Sequence, residues 1–192
     1  DVSKIEAGMI DVHVDDFDIF DLVSEAAKSF EKEAKDRGIG LKVELIHLML
    51  NTDRRRLLQS VMNLISNAVK FTEKGSVQIT ARAVHSLQFT DHREENTLNR
   101  QPSTVNDGDF VEISVEDTGI GMKEVDIPKL FQSFVRLDSP LRATVPGTGL
   151  GLYLTNKLVL DALKGDIMVE SRLGEGSRFE IRIPIKIGSS SK

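Results

Sequence analysis

The strongest constraint on this chain of 192 residues is a set of four short segments, rich in glycine or in polar residues. One lies within a predicted helix, and three stand at junctions between predicted elements. In chain order they are Asn63–Thr72, Asp117–Met122, Gly147–Leu152 and Gly174–Ser177. Each segment is a weak signal by itself, because glycines at a helix start or in a hairpin are also ordinary turns. The interpretation therefore depends on all four, in this order.

The spacing of apolar residues predicts the fold class. Apolar side chains recur every three or four residues in three stretches, which predicts helices over about 18–37, 54–72 and 150–163. A short fourth helix is predicted near 127–132. The predicted strands, with one or two in the second stretch, are 9–17, 41–50, 76–84, 110–116, 166–171 and 178–185. We therefore expect an α/β (α+β) fold, a two-layer sandwich of a mixed sheet with about three helices on one face.

A polar stretch at 85–109 breaks the pattern and contains Pro102 and Gly108. So long a loop is uncommon inside a compact domain, and we expect an insertion at the tip of a hairpin. In the following strand two sets of residues alternate and face opposite sides of the sheet, namely Phe110, Glu112, Ser114 and Glu116, and Val111, Ile113 and Val115.

The composition excludes several kinds of function. The chain has no cysteine, which rules out disulfides, thiolate catalysis and cysteine metal sites. It has no His-x-x-x-His pair, so a zinc site is not expected. The net charge of -5 gives no general electrostatic reason to bind nucleic acid. No apolar run approaches the roughly 20 residues of a membrane span, and no signal peptide is visible.

Asn63, Asn67 and Lys70 share one face of the second predicted helix, because they lie at i, i+4 and i+7. Asparagine offers a neutral carbonyl oxygen, which suits a Mg²⁺ ion that keeps waters and phosphate oxygens as its other ligands. Lysine offers a point charge for a terminal phosphate. On spacing alone, a solvated helix surface is the simpler interpretation.

Two of the glycine segments have the form of ligand-binding turns. Asp117 follows an apolar strand, where it either hydrogen-bonds its own backbone or offers a carboxylate to a ligand. Gly147–Leu152 opens the third predicted helix, and free N–H groups at a helix start attract phosphate. This segment is not a P-loop, because no Gly-Lys-Ser/Thr follows.

Taken together, the four segments resemble the N, G1, G2 and G3 boxes of the ATP-binding domain of sensor histidine kinases, a branch of the family that includes gyrase, Hsp90 and MutL. The resemblance covers roughly residues 12–185. It implies the same two-layer fold (the Bergerat-type ATP-binding fold), binding of ATP with Mg²⁺, and transfer of the γ-phosphate to a histidine on a separate dimerisation domain in two-component signal transduction.

The resemblance also implies roles for individual residues. It implies that Asn67 binds Mg²⁺ and that Lys70 neutralises the γ-phosphate. It also implies that Asp117 accepts a hydrogen bond from the adenine amino group. Residues 122–147 are expected to form a lid over ATP, from which Arg136 reaches the phosphates. The implied catalytic residues are Asn63, Asn67, Lys70 and Arg136. The remaining implied nucleotide contacts are Gly119, Ile120, Gly121, Gly147, Thr148, Gly149, Leu150, Gly151 and Leu152.

Asn63 is informative within the family that the chain resembles. Gyrase-like and MutL-like members carry a glutamate at the matching position, where it activates water. A glutamate can take a proton, whereas an asparagine cannot. The site is therefore expected to hold ATP without a resident water-activating base, which favours phosphoryl transfer over hydrolysis.

The resemblance further predicts how the chain is organised. We expect residues 1–10 to end a dimerisation helix, 11–187 to form the ATP-binding domain and 188–192 to be a disordered tail. None of the four histidines has an acceptor setting, so the acceptor is expected outside this chain. The expected partners are the protein's own dimerisation domain and the receiver domain of a response regulator. We expect this domain to lie in the cytoplasm. The fragment by itself is expected to be a monomer, and the full-length protein is expected to be a homodimer that a membrane anchor could hold.

Two other interpretations remain open. The first is an ATPase or chaperone of the same fold, against which Asn63 argues. The second is a nucleotide-binding regulatory module without kinase activity, which the sequence separates only weakly. Transfer of phosphate to a supplied dimerisation domain would discriminate them.

Overall fold

The computed structural model describes residues 11–84, 109–135 and 148–187. Within them, the strands are β1 (Asp15–Asp18), β2 (Ile39–Glu44), β3 (Met49–Thr52), β4 (Gly75–Val84), β5 (Phe110–Asp117), β6 (Asp166–Arg172) and β7 (Gly176–Pro184). The α-helices are α1 (Ile19–Asp36), α2 (Arg54–Phe71) and α3 (Gly151–Lys157). A 3₁₀ helix occupies Glu124–Lys129, and a π-helical turn at Leu158–Ala162 continues α3.

The main sheet has five strands in the order β2-β4-β5-β7-β6. Only the β2–β4 pair is parallel, and the other three pairs are antiparallel. β1 and β3 form a separate antiparallel ribbon. The predicted mixed sheet is confirmed, and Val84 of β4 lies opposite Phe110 of β5. The residues 85–108 that join these two strands, like 1–10, 136–147 and 188–192, lie outside the described residues.

The core lies between the helices and one face of the sheet. Ile79, Val115 and Phe179 form one row across β4, β5 and β7, and all three side chains are buried. The apolar stripe predicted for the second helix is confirmed, since Leu57, Val61, Leu64 and Ala68 of α2 are buried in the same cluster. α2 is therefore anchored along its length, which fixes the polar residues that flank the stripe.

The other face of the sheet carries a buried ionic cluster. Glu112 points away from the helices, yet only 2% of the residue is exposed. Arg82 pairs with it from β4, and Arg182 donates to its Oε2 at 2.8 Å from β7. Arg178 donates to Ser114 Oγ at 3.0 Å. The alternation predicted for this strand holds, but arginine stems from both neighbouring strands cover its polar side.

Three predicted elements differ in extent from the observed ones. The first strand is confined to Asp15–Asp18, because its partner β3 offers only four residues for pairing. The short helix lies at Glu124–Lys129 instead of 127–132 and contains Pro128, which has no N–H to donate. The third helix leaves α geometry at Leu158 and ends at Ala162, two residues before Lys164, which has a positive φ of 57°.

Among the described residues, no helix combines the length and the apolar character needed to cross a membrane.

Candidate functional site

The helix that carries the three polar residues is fixed at its first turn. The Asp53 carboxylate accepts from the backbone N–H of Arg56 at 2.9 Å, which satisfies a free donor of α2. Its second oxygen accepts from the N–H of His13, also at 2.9 Å. Asp53 is 1% exposed, so this cap is part of the interior of the domain.

The other end of α2 is closed by α1. Thr72 ends the helix and its hydroxyl donates to the Ala68 carbonyl at 2.7 Å. The guanidinium of Arg37 donates to the carbonyls of Lys70 and Thr72, both at 3.2 Å. A cation at this position also opposes the negative end of the helix dipole. Three side-chain hydrogen bonds therefore hold the backbone carbonyls at the end of α2, where Lys70 lies.

Asn63, Asn67 and Lys70 lie on one flank of this helix, and all three are half-buried. Asn63 is engaged, since its Nδ2 donates to Thr155 Oγ1 of α3 at 2.8 Å. The amide of Asn67 and the ammonium of Lys70 make no hydrogen bond or ion pair with residues in the described part of the chain. They are polar groups available to a ligand on a partly enclosed surface.

The turn after β5 docks on the end of α2. Asp117 is 6% exposed, and its Oδ1 accepts from the Gly119 N–H at 2.8 Å. The Ile120 N–H donates to the Phe71 carbonyl at 3.1 Å. A Cβ on Gly119 would lie 2.3 Å from that same carbonyl oxygen. The turn that contains Asp117 is therefore tied directly to the helix that contains Lys70.

The glycines of this turn are required by the protein's own backbone. Gly121 has a φ of 58°, and a Cβ there would lie 1.9 Å from the Arg172 carbonyl oxygen. These contacts explain why glycine is required at 119 and 121, because the turn packs on α2 and on the end of β6. The sequence did not indicate this requirement. Close approach of the same turn to an adenine base stays a prediction.

The Asp117 carboxyl has an unusual environment. Burial raises its pKa to about 6, although backbone N–H groups of Gly119 and Ser177 stabilise the ionised form. At neutral pH the group is therefore mainly a carboxylate that has lost most of its water. Such a group is a strong acceptor for a donor that reaches it.

The hairpin of β6 and β7 closes over this turn. The Gly174 N–H donates to the Ile120 carbonyl at 2.8 Å, and Ser171 Oγ accepts from the Met122 N–H at 2.9 Å. Gly176 has a φ of 113°, and a Cβ there would lie 1.9 Å from the Asp117 carbonyl oxygen. This segment therefore supports the turn that contains Asp117.

The glycine segment before α3 packs on the residues that precede it. Gly149 has a φ of 73°, and a Cβ there would lie 2.8 Å from the Val135 carbonyl oxygen. Phe134 has a positive φ of 62° and is 70% exposed. Thr148, Leu150 and Leu152 are described, whereas Gly147 and Arg136 lie outside the described residues, as does the part of the predicted lid from 136 to 147.

The chain matches the sequence pattern of the family described as "Histidine kinase-, DNA gyrase B-, and HSP90-like ATPase" over residues 52–187. It belongs to this family. The match spans α2, both glycine turns and the closing hairpin, whereas β1, α1 and β2 precede it along the chain.

Several curated proteins are similar to this ATPase-family domain. "Sensor protein GacS" of Pseudomonas syringae pv. syringae is 36% identical over 189 residues, covering 96% of this chain and 19% of GacS. "Autoinducer 2 sensor kinase/phosphatase LuxQ" of Vibrio vulnificus is 33% identical over 191 residues, covering 98% of this chain and 20% of LuxQ. The chain thus spans about a fifth of the length of these relatives.

Solved structures share the fold. Full-length ShkA in complex with AMPPNP superposes with a TM-score of 0.74 at 28% identity, covering 95% of this chain and 33% of that one. The catalytic domain of the histidine kinase ThkA superposes with a TM-score of 0.67 at 26% identity, covering 91% and 97% of the two chains. The predicted fold class and the resemblance to the histidine kinase ATP-binding domain are confirmed.

The residues of this ATPase-family domain fit a metal ion that binds together with a phosphate-containing molecule. No group of three His, Cys, Asp or Glu residues capable of holding a metal occurs within the described ranges. Asn67 offers one neutral oxygen from a half-buried position. Such a site suits Mg²⁺ that retains water and phosphate oxygens, and does not suit a resident structural ion.

Sequence reasoning missed three residues that shape the site. Thr155 holds Asn63, Arg37 caps the end of α2, and Ser171 supports the turn after Asp117. Thr155 follows Gly151 by one helical turn, which places both on one face of α3 and could have indicated a shared partner. Arg37 and Ser171 act on backbone atoms far along the chain, and no local pattern marks them.

Proposed function

We propose that this domain binds Mg-ATP and donates the γ-phosphate to a histidine on a separate dimerisation domain, in two-component signal transduction. The observation that carries the proposal is the flank of α2, where Asn67 and Lys70 are half-buried and have no partner among the described residues. The Asp117 turn is bonded to the end of this helix, and α3 is bonded to Asn63. One helix therefore carries Asn67 and Lys70 and is bonded to both the Asp117 turn and α3. The proposed site has an adenine end at Asp117 and a phosphate end along the flank of α2.

At the adenine end, the Asp117 carboxylate accepts a hydrogen bond from the exocyclic amino group of the base. Guanine presents a carbonyl at the corresponding position, so a carboxylate there selects adenine. The second donor to this carboxyl is the Gly119 N–H, which keeps it oriented whether or not a nucleotide is bound. Family membership and the AMPPNP complex of ShkA support a nucleotide ligand.

At the phosphate end, Lys70 supplies positive charge to the γ-phosphate and Asn67 supplies an oxygen ligand to Mg²⁺. The ion, when bound, neutralises negative charge on the phosphates. Gly149, Leu150 and Gly151 follow the predicted lid and contribute backbone contacts, and Arg136 remains a predicted phosphate contact. Placing and neutralising these groups is most of what a phosphoryl-transfer enzyme must do.

The chemical step is transfer to an imidazole nitrogen. A bond forms between that nitrogen and the γ-phosphorus as the bond from the γ-phosphorus to the bridging oxygen breaks, and ADP leaves. Asn63 cannot take a proton from water, and its amide is already bonded to Thr155. The domain therefore lacks a base at the position where a hydrolytic relative needs one, which favours the external acceptor.

The relatives support a proposal about the domains that act with this one. The proteins similar to this chain include "Hybrid signal transduction histidine kinase B" of Dictyostelium discoideum, 9% of which the chain covers. Most of such a protein consequently lies outside the region of similarity. We propose that the dimerisation domain and a receiver domain act with this domain in a homodimeric protein, on the cytoplasmic side where ATP is available.

The test is incubation with radiolabelled ATP, with and without an added dimerisation domain that carries an acceptor histidine. We expect no labelling of the chain alone, and acid-labile labelling of the added domain. Lys70→Ala should reduce the transfer at least tenfold, as expected for loss of a charge facing the transferred group, about 1.4 kcal/mol or more. Lys74→Ala, an exposed residue just beyond the helix, is the control.

The other outcomes separate the alternatives. Fast release of phosphate by the chain alone would identify a hydrolytic ATPase and contradict the proposal. Binding of ATP with neither transfer nor hydrolysis would identify a regulatory nucleotide-binding module.

A second measurement addresses the metal. Asn67→Ala should weaken the Mg²⁺-dependent part of ATP binding and leave metal-free binding of ADP unchanged, because the amide contributes only to the ion. Calorimetry with and without Mg²⁺ measures both, and Ser66→Ala is the matched control from the neighbouring position. Tight binding of Mg²⁺ to the nucleotide-free protein would contradict the assignment.

A further inference from the structure

Two residues of α3 enclose the side-chain amide of Asn63. Its Nδ2 donates to Thr155 Oγ1 at 2.8 Å, and its Oδ1 faces Gly151. A Cβ on Gly151 would lie 2.6 Å from that Oδ1 and 3.3 Å from Nδ2. Since Gly151 and Thr155 are four residues apart on one helix, both ends of the amide are constrained by the same face of α3.

Thr155 is buried too deeply to contact a nucleotide itself. It is 1% exposed and lies between α2 and α3, whereas Asn63 is half-buried. A buried hydroxyl needs a hydrogen-bond partner, and the Asn63 amide provides it across 92 positions of sequence. Any effect of Thr155 on a ligand must therefore pass through Asn63.

We propose that Thr155 is a positioning residue that holds the Asn63 amide with its oxygen toward Gly151. This inference rests on the proposed function, because Asn63 belongs to the phosphate end of that site. Without the Thr155 hydroxyl, the amide nitrogen loses its hydrogen-bond acceptor on α3, and the amide can rotate by half a turn. In the rotated state an N–H donor replaces the oxygen beside the glycine segment.

The contacts of the Asn63 amide with Thr155 and Gly151 also couple two parts of the site. Asn63 lies one helical turn before Asn67 on α2, and Gly151 ends the glycine segment that leads into α3. Holding Asn63 against Gly151 sets the distance between these two segments. Thr155 thereby contributes to the geometry in which the phosphates lie, from a position remote from the adenine end.

The decisive variants are Thr155→Val, which keeps the shape and removes the hydroxyl, and Thr155→Ser, which keeps the hydroxyl. Phosphoryl transfer to an added dimerisation domain is measured as kcat and KM for ATP. We expect Thr155→Val to lower kcat about three- to tenfold, the range for loss of one hydrogen bond, with KM changed less than about twofold. Thr155→Ser should restore kcat to within about twofold of the original.

A double-mutant cycle and a spectroscopic signal separate positioning from simple packing. In an Asn63→Ala background, Thr155→Val should have no further effect on kcat, because the group through which it acts is gone. The ¹H–¹⁵N resonances of the Asn63 side-chain amide should move in Thr155→Val and return in Thr155→Ser, while those of Asn51 stay in place. Thermal unfolding of each variant shows whether it is folded.

Two outcomes would overturn the inference. One is a Thr155→Val protein with a lower Tm and unchanged kcat and amide resonances, which would make the contact a matter of helix packing alone. The other is a full additive effect of Thr155→Val on kcat in the Asn63→Ala background. If the unsubstituted protein transfers no phosphate, the proposed function fails, and the amide resonances still decide whether Thr155 orients Asn63.

Discussion

At the scale of single residues, the buried Asp117 carboxylate combines a cost in stability with a use in recognition. Its side chain is desolvated in the free protein, and the raised pKa of about 6 is the measure of that cost. A ligand donor that reaches the carboxylate would offset this cost. On the proposed function, nucleotide binding and the stability of the domain are therefore linked through this one group.

The sign of the linkage gives a prediction for Asp117→Asn. The folded-state pKa is raised from 3.8 to about 6, so stability is greatest below the unfolded value and is lost as pH rises through the folded one. A shift of about 2 units corresponds to at most about 3 kcal/mol. Asp117→Asn should therefore be more stable than the original protein above about pH 7, and equally stable near pH 4.

Thermal unfolding at both pH values, with and without ATP, measures this effect. ATP should raise the Tm of the original protein and leave that of Asp117→Asn nearly unchanged, since the amide offers donors where the base needs an acceptor. An ATP-induced rise in Tm of equal size in both proteins would contradict the adenine assignment.

At the scale of elements, the start of α1 depends on a carboxylate shared among three partners. Asp18 Oδ1 accepts from the N–H groups of Phe20 and Leu48 at 2.9 and 3.1 Å, and Oδ2 bonds His47 Nδ1 at 2.8 Å. The His47 ring stacks on Phe20 with centroids 4.2 Å apart. The hydrogen bond with His47 has the largest effect on the pKa of Asp18 and lowers it. Burial opposes this effect, and the N–H groups of Phe20 and Leu48 add smaller effects that lower the pKa further.

We expect Asp18→Ala to destabilise the domain by about 1–2 kcal/mol at neutral pH, as for loss of a helix N-cap. Because the folded pKa is depressed, the contribution of Asp18 is present above the unfolded value of 3.8 and is lost as pH falls through the folded value. Urea unfolding from neutral to acid pH should therefore show the variant and the original converging. Asp21→Asn in the first turn is the control, and a pH-independent difference for Asp18→Ala would contradict this role.

The same scale shows what local sequence could and could not predict. α1 and α2 were predicted within about a residue, because their apolar stripes and capping aspartates are local signals. The length of β1 was wrong because a partner strand sets it, and no pattern in residues 9–17 reports the length of β3. The polar flank of α2 was found from spacing, whereas Thr155 was missed because its partner lies 92 positions away.

At the scale of the whole molecule, the outer face of the sheet is held by charges. Burial raises the pKa of Glu112, but the hydrogen bonds with Arg182 and Glu180 and the charge of Arg82 together outweigh burial, and the pKa lies below its ordinary value. Burial and the neighbouring Glu112 raise the pKa of Glu180. The sequence indicated a polar face, and it could not indicate that arginines from two other strands would enclose its centre.

We expect Glu112→Gln to cost about 1–3 kcal/mol, because a neutral amide replaces a buried carboxylate that accepts charged hydrogen bonds from Arg182 and Arg82. The loss should shrink as pH falls, since Glu112 stabilises the fold only above its depressed pKa. Glu116→Gln, on the same face of the same strand but exposed, should change stability by less than about 0.5 kcal/mol. Equal effects of the two substitutions on urea unfolding would show that the cluster contributes little.

The position of β7 has a consequence for how the protein is made. β7 follows β6 along the chain, yet it lies between β5 and β6 in the sheet, and its Gly176 packs on Asp117. A ribosome that has released β5 and not yet β7 displays β5 with one edge unpaired, which is a template for unwanted strand pairing. In that interval the turn at Asp117 lacks its contact with Gly176, and the proposed ATP site is incomplete. On the proposed function, the nucleotide therefore stabilises the fold only after the β6–β7 hairpin has closed.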